Sequence, residues 1–149
     1  VVQYTSVLDM PAPPARAAAV AGWICRLVTA GILAQTLFFK FTYAPETRVI
    51  FARLGGRPAA TLVGLAELTC VVLLLVPRTA IYGAALSLAV IAGALGTHLF
   101  VIGIEVGDPA TGRGDGGLLF GLALAVALLS FAILALRRSE VAALVRRFV

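Results

Sequence analysis

Four long apolar blocks, at about 17–41, 59–76, 79–104 and 116–136, constrain this chain more than any other feature. A helix needs roughly 20 apolar residues to cross a bilayer core, with about 17–25 tolerated. All four blocks meet that length; the second is short, and the third is long enough to tilt. Lipid offers no water to backbone N–H and C=O groups, so each block must be helical, the Val- and Leu-rich stretch 71–76 included. The fold expected is therefore all-α, an integral membrane four-helix bundle. Composition agrees: 61% of the 149 residues are hydrophobic and 13% charged, where an ordinary soluble domain has about 45–50% apolar and about 25% charged residues. A disordered chain and a disulfide-rich secreted domain are both excluded.

The formal charge of +5 comes from eleven Arg and one Lys set against seven acids. The basic residues gather at the ends of the apolar blocks, which is where they anchor and orient a membrane protein in anionic lipid. Membrane lipid is thus an expected partner, and nucleic acid is not.

The segments between the blocks complete the organisation. Residues 1–16 carry Asp9, Pro11, Pro13 and Pro14 and form an N-terminal arm. No basic stretch leads into a short apolar run with a cleavage site, so no removable signal peptide is expected. Between the first and second blocks, Pro45-Glu46 precedes Arg48, Val49, Ile50 and Phe51, and Gly55-Gly56 follows. Pro near a start and Gly after an end punctuate a helix, here a short amphipathic one at the membrane interface. Pro77-Arg78 makes a tight turn, so the second and third helices are antiparallel neighbours. Residues 105–117 hold five Gly, one Pro and three acids and form a loop. The basic tail 137–149 continues the last helix along the membrane surface.

Four crossings place both termini on one side, with Arg16, Arg78, Arg137, Arg138, Arg146 and Arg147. The other side has Lys40, Arg48, Arg53, Arg57 and Arg113, a margin of six to five. On that margin both termini are placed in the cytoplasm.

Ionisable groups inside a membrane are costly and need an account. Arg26 and Lys40 lie fourteen residues apart on the first helix, or roughly 21 Å along its axis. Either both snorkel outwards, or they face protein. The 3, 4, 3, 4 spacing of Arg26, Thr29, Leu33, Thr36 and Lys40 makes one stripe and favours protein. Glu67 sits mid-block, too deep for a short carboxylate to reach water. It must be protonated, paired or beside a cavity, and Gly64 one turn earlier leaves room for a neighbour. His98 shares a face with Ser87, Ile91 and Ala94 and belongs to the same half of the membrane as Lys40. Lys40, Glu67 and His98 form the candidate intramembrane polar cluster.

Secondary candidates are Arg26, Gln35, Cys25 and Cys70. Gln35 lies off the stripe and suits a helix–helix hydrogen bond. Cys25 and Cys70 form no CxxC motif; each reads as a small hydrophobe, with a redox pair as the alternative. His98 is the single histidine, and no metal site is expected. No cofactor-binding motif is present. Small residues recur at Ala85, Ala89 and Gly93 and at Gly117, Gly121 and Ala125, spacings that permit close helix packing.

Arg26, Phe38-Phe39-Lys40, Phe51-Ala52-Arg53-Leu54-Gly55-Gly56, Gly64-Leu65-Ala66-Glu67, His98 and Asp115-Gly116-Gly117-Leu118-Leu119 together resemble the DoxX-like family of small four-helix bacterial membrane proteins. The resemblance covers about 26–136. It departs from the family at Leu118, where many members have Glu. It implies a bacterial inner-membrane protein associated with membrane redox systems, with Lys40, Glu67 and His98 as the matching polar positions. Two classes of function follow. The first is a redox-linked accessory subunit lining a quinone site between helices, where Lys40 and His98 donate hydrogen bonds. The second is a purely structural scaffold subunit of a respiratory or photosynthetic assembly. A small transporter using Glu67 as a proton or cation site is a third and weaker reading. Partner integral membrane subunits are expected, in a hetero-complex or homo-oligomer, and the isolated chain is not expected to be an enzyme.

Overall fold

The computed structural model describes residues 15–107 and 111–146. Most of the N-terminal arm, Asp108 and Arg147 lie outside the described residues. Six helices follow in order: α1 (Ala15–Thr42), α2 (Pro45–Phe51), α3 (Gly56–Leu75), α4 (Ala80–Thr97), α5 (Leu118–Leu136) and α6 (Arg138–Val145). A π turn, His98–Ile102, extends α4. With that extension, α1, α3, α4 and α5 are each long and apolar enough to cross a membrane. This is the make-up of a multi-pass membrane protein. Helix α1 packs on α3 and α5, and α4 packs on the same two, so the spans close into a four-helix bundle.

The boundaries differ from the apolar blocks in instructive ways. Helix α3 starts at Gly56 rather than after Pro58, because a proline in the first turn forfeits an N–H that has no intrahelical acceptor anyway. Arg16 belongs to α1, not to the arm. The tail does not continue α5: the chain breaks at Arg137 (φ −107°, ψ 24°) and α6 is a separate helix. Helix α2 forms where the Pro45 signal places it, and the Thr47 hydroxyl ties it to α1 by donating to the Phe39 carbonyl at 3.0 Å.

Lipid supplies no hydrophobic drive between helices, so the bundle depends on close packing and on polar contacts. The tightest approach is at Gly83, where an added Cβ would lie 2.7 Å from the Leu74 backbone nitrogen. Most of the small-residue series expected to pack lies outside the tight seams, although Gly117, where an added Cβ would sit 3.3 Å from Ile104, and Ala125 are half-buried. Ala85, Ala89, Gly93 and Gly121 are exposed, and nothing approaches Gly93 or Gly121 within 4 Å of an added Cβ. The buried faces are instead Ala80, Ala84, Ser87 and Ile91 on α4 and Ala123, Val126, Ser130 and Ile133 on α5.

The α3–α4 turn shows how one end is held together. The last carbonyls of a helix have no intrahelical donor, and here each finds one. Val76 N–H donates to the Val72 carbonyl and the Thr79 hydroxyl to that of Leu73, at 3.3 and 2.9 Å. Arg26 donates from Nε to Leu74 and from Nη2 to Leu75, at 2.6 and 3.0 Å. Thr79 N–H reaches Val76 at 3.2 Å, and Arg137 Nη1 reaches Pro77 at 2.7 Å. Arg26 is thus no snorkelling residue. It is 4% exposed, its cation meets the negative end of the α3 dipole, and its guanidinium stacks 3.9 Å from the Trp23 ring centroid.

Candidate functional site

At the opposite end the bundle is hollow. A cavity of about 640 Å³ opens among α1, α2, α3, α4 and α5. Its wall is mostly aliphatic and aromatic, and its polar members include Thr36, Lys40, Glu46, Glu67, His98 and Asp115.

Lys40 and Glu67 form an ion pair across α1 and α3, Nζ to Oε2 at 2.9 Å, with side chains 15% and 6% exposed. Local sequence explains why they meet. Gly64, one turn before Glu67, is buried, and an added Cβ there would sit 3.2 Å from the Phe41 ring and 3.5 Å from Lys40 Cβ. A side chain at 64 would therefore hold α1 away from Glu67. The Thr36 hydroxyl lies 2.8 Å from Glu67 Oε2 and 2.8 Å from the Leu33 carbonyl. With one proton it donates to one of them at a time. Glu67 Oε1 takes no hydrogen bond among the described residues.

His98 lines the same cavity but makes different contacts. Its Nδ1 is 2.9 Å from the Gly103 carbonyl, and its ring packs edge-on to Phe120 at 5.7 Å between centroids. A carbonyl only accepts, so Nδ1 carries the proton and Nε2 of the neutral ring is an acceptor. The expectation that His98 donates to a bound carbonyl is therefore reversed for the neutral ring. The π turn and Gly103, at φ +88°, create this geometry; π turns recur at functional sites.

Asp115 joins the cavity to the loop. Its Oδ1 accepts from Val106 and Gly117 N–H at 2.8 and 3.1 Å, and its Oδ2 from Leu119 N–H at 2.9 Å. The last of these satisfies a free donor in the first turn of α5. Burial raises the Asp115 carboxyl, but the N–H donors of Leu119, Val106 and Gly117 together with the field of His98 outweigh it and hold the group below the ordinary aspartate value.

The secondary candidates separate from this site. Arg26 belongs to the α3–α4 turn. Gln35 is exposed and makes no hydrogen bond among the described residues, so it does not bridge helices within the bundle. It is one residue from Thr36, about 100° round the helix, and so looks outwards. Cys70 is fully buried in the core beside Leu74 and Ala84, Cys25 lies at its edge, and both are free thiols. Thr36, Glu46 and Asp115 line the cavity without having been singled out as site residues. An Asp just ahead of two glycines and an apolar run is a helix-start signal, and it marks Asp115.

Comparison with known proteins gives no matching family model, no matching curated protein and no matching solved structure.

Proposed function

We propose that this chain is an accessory subunit of a redox-linked bacterial membrane complex and that its cavity holds a quinone. The observation carrying the reading is the Lys40–Glu67 ion pair set in the wall of an apolar cavity of about 640 Å³. Ligand pockets run to about 300–1,000 Å³, mainly apolar with a few placed polar groups. Lys40 has three N–H donors and spends one on Glu67, so others are free for a ring carbonyl. His98 Nε2 accepts, which suits the hydroxyl of a reduced ring. Glu67 fixes the ammonium and, with Thr36, keeps the cation from being stranded when the cavity is empty of polar groups. The resemblance to DoxX-like proteins points to the same redox setting. In this reading a partner subunit supplies the electrons, the chain catalyses nothing alone, and its termini lie in the cytoplasm with the cavity in the outer half of the inner membrane.

Purification in mild detergent, with extraction of lipophilic molecules and identification of co-purifying proteins, tests this. The expected result is a quinone near one per chain, integral membrane partners, and loss of the quinone in Ala66→Phe, which fills the cavity wall. Partners that persist with no quinone in either protein would support the scaffold reading instead.

A further inference from the structure

We propose that the groove at the α3–α4 turn is a binding site for the phosphate of an anionic phospholipid. The site is separate from the large cavity, and the inference does not depend on the quinone reading. A smaller cavity, about 270 Å³, lies between the N-terminal half of α1, the turn and the end of α5. Ala18, Ala19 and Gly22 form a low floor on α1, with Trp23, Arg26, Arg137 and Glu140 around it.

The charge arrangement is what asks for an anion. Arg26 is 4% exposed and has no carboxylate partner among the described residues. Its Nε and Nη2 are used on backbone carbonyls, and its Nη1 makes no hydrogen bond among the described residues. Carbonyl dipoles satisfy donors but do not neutralise a charge in low dielectric. Arg137 lines the same groove. Its Nη1 is held by the Pro77 carbonyl and its Nε by Glu140 at 3.3 Å, while Nη2 has no partner among the described residues. One nitrogen of each guanidinium thus has no partner among the described residues, both residues line one cavity, and one acid there offsets two cations. A phosphodiester brings one negative charge and two non-bridging oxygens, one for each of these nitrogens, and guanidinium geometry suits phosphate.

The setting selects a lipid as the source of that phosphate. The groove is level with the end of α3, at the boundary of the spanning segment. Trp23 is partly exposed beside it, as interfacial aromatic residues are. Arg16, Arg78, Arg138 and Arg146 are exposed on the same end, and basic pockets between helices at this level take anionic head groups. The short side chains at 18, 19 and 22 leave space for the glycerol carbons. An added Cβ at Gly22 meets nothing within 4 Å, so a larger residue is admitted at its base and takes up groove volume.

Native mass spectrometry of the detergent-solubilised full chain, titrated with phosphatidylglycerol, phosphatidylcholine or inorganic phosphate, tests the site. Phosphatidylglycerol should bind at least tenfold more tightly than phosphatidylcholine. Arg137→Gln and Gly22→Leu should each reduce that binding about tenfold, while Arg146→Gln, on the rim outside the groove, should change it less than twofold. Both groove variants leave Arg26 on α3, so their folding is checked independently by thermal unfolding. Equal binding of the two lipids overturns the proposal, as does binding unchanged in both groove variants. Displacement of the lipid by equimolar inorganic phosphate overturns the lipid assignment in favour of a free anion.

Discussion

Arg26 and Lys40 stand on one stripe of one helix, and the two ends of the bundle treat their charges in opposite ways. At the Arg26 end the chain turns back within residues 76–79, so α3 and α4 are forced together and Gly83 meets the backbone of Leu73 and Leu74. The carbonyls of residues 72–77 are all used, two of them by Arg26. At the Lys40 end the connections are long, 43–55 and 103–117, and the interior is not filled. There a carboxylate answers the cation, and both charges face a cavity. A buried cation in a membrane bundle is thus met by backbone carbonyls where the helices close and by a carboxylate beside open volume where they do not.

Substitutions can break this contrast. The largest effect is expected at the closed end. Arg26→Ala leaves two helix-terminal carbonyls without donors, and charge-assisted bonds are worth about 1.5–3 kcal/mol each, so a loss of about 4 kcal/mol should appear in denaturant unfolding. Glu67→Ala should follow, at about 3 kcal/mol, because it strands Lys40 in a mostly buried position. Glu67→Gln keeps an acceptor and should cost about half as much. If Arg26→Ala were milder than Glu67→Gln, the closed end would not be the tied one.

Packing gives a matched pair of smaller size. Gly83→Ala should destabilise by about 2 kcal/mol through overpacking against Leu74. Gly93→Ala, with open space around it, should stay within about 0.5 kcal/mol in the same assay. The smallest effect concerns the rim of the cavity. The folded Asp115 carboxyl titrates below its unfolded value, so its stabilisation is present above about pH 4 and is lost as pH falls through the folded value. Asp115→Asn should flatten that acid limb, measured by amide exchange of the Val106 and Leu119 N–H groups, by lowering their protection at pH 7 towards the level the native chain reaches in acid.

Much of this contrast is written in the sequence. Block length alone dictates four spanning helices, and the spacing of Arg26, Thr29, Thr36 and Lys40 shows the face turned inwards. The mid-block position of Glu67, with Gly64 one turn earlier, shows where a partner can approach. Other features are not legible because they depend on distances between elements. The cavity is a volume left between helices, which no single periodicity encodes. The acceptor role of His98 follows from a π turn that brings the Gly103 carbonyl back to Nδ1, and the residues 98–102 carry no signal for that turn. The small-residue spacings at 85–93 and 117–125 specify a smooth face without saying what it faces: Ala85 and Gly121 are exposed, Ala89 and Gly93 line the cavity, and Gly117 and Ala125 are half-buried. Gln35 misleads for a related reason: a polar side chain inside a span invites a partner in the bundle, but its phase on the helix points away from one.

The most direct test of the account is photo-cross-linking with an azido-quinone to the protein in lipid nanodiscs, with the label mapped by peptide mass spectrometry. The account predicts attachment to cavity residues near Lys40 and His98, such as Thr36, Ala94 or Leu119, with the label reduced at least fivefold in Lys40→Ala and unchanged in Arg137→Gln. Label confined to outward residues such as Leu128 and Phe131, or unaffected by loss of Lys40, would contradict it.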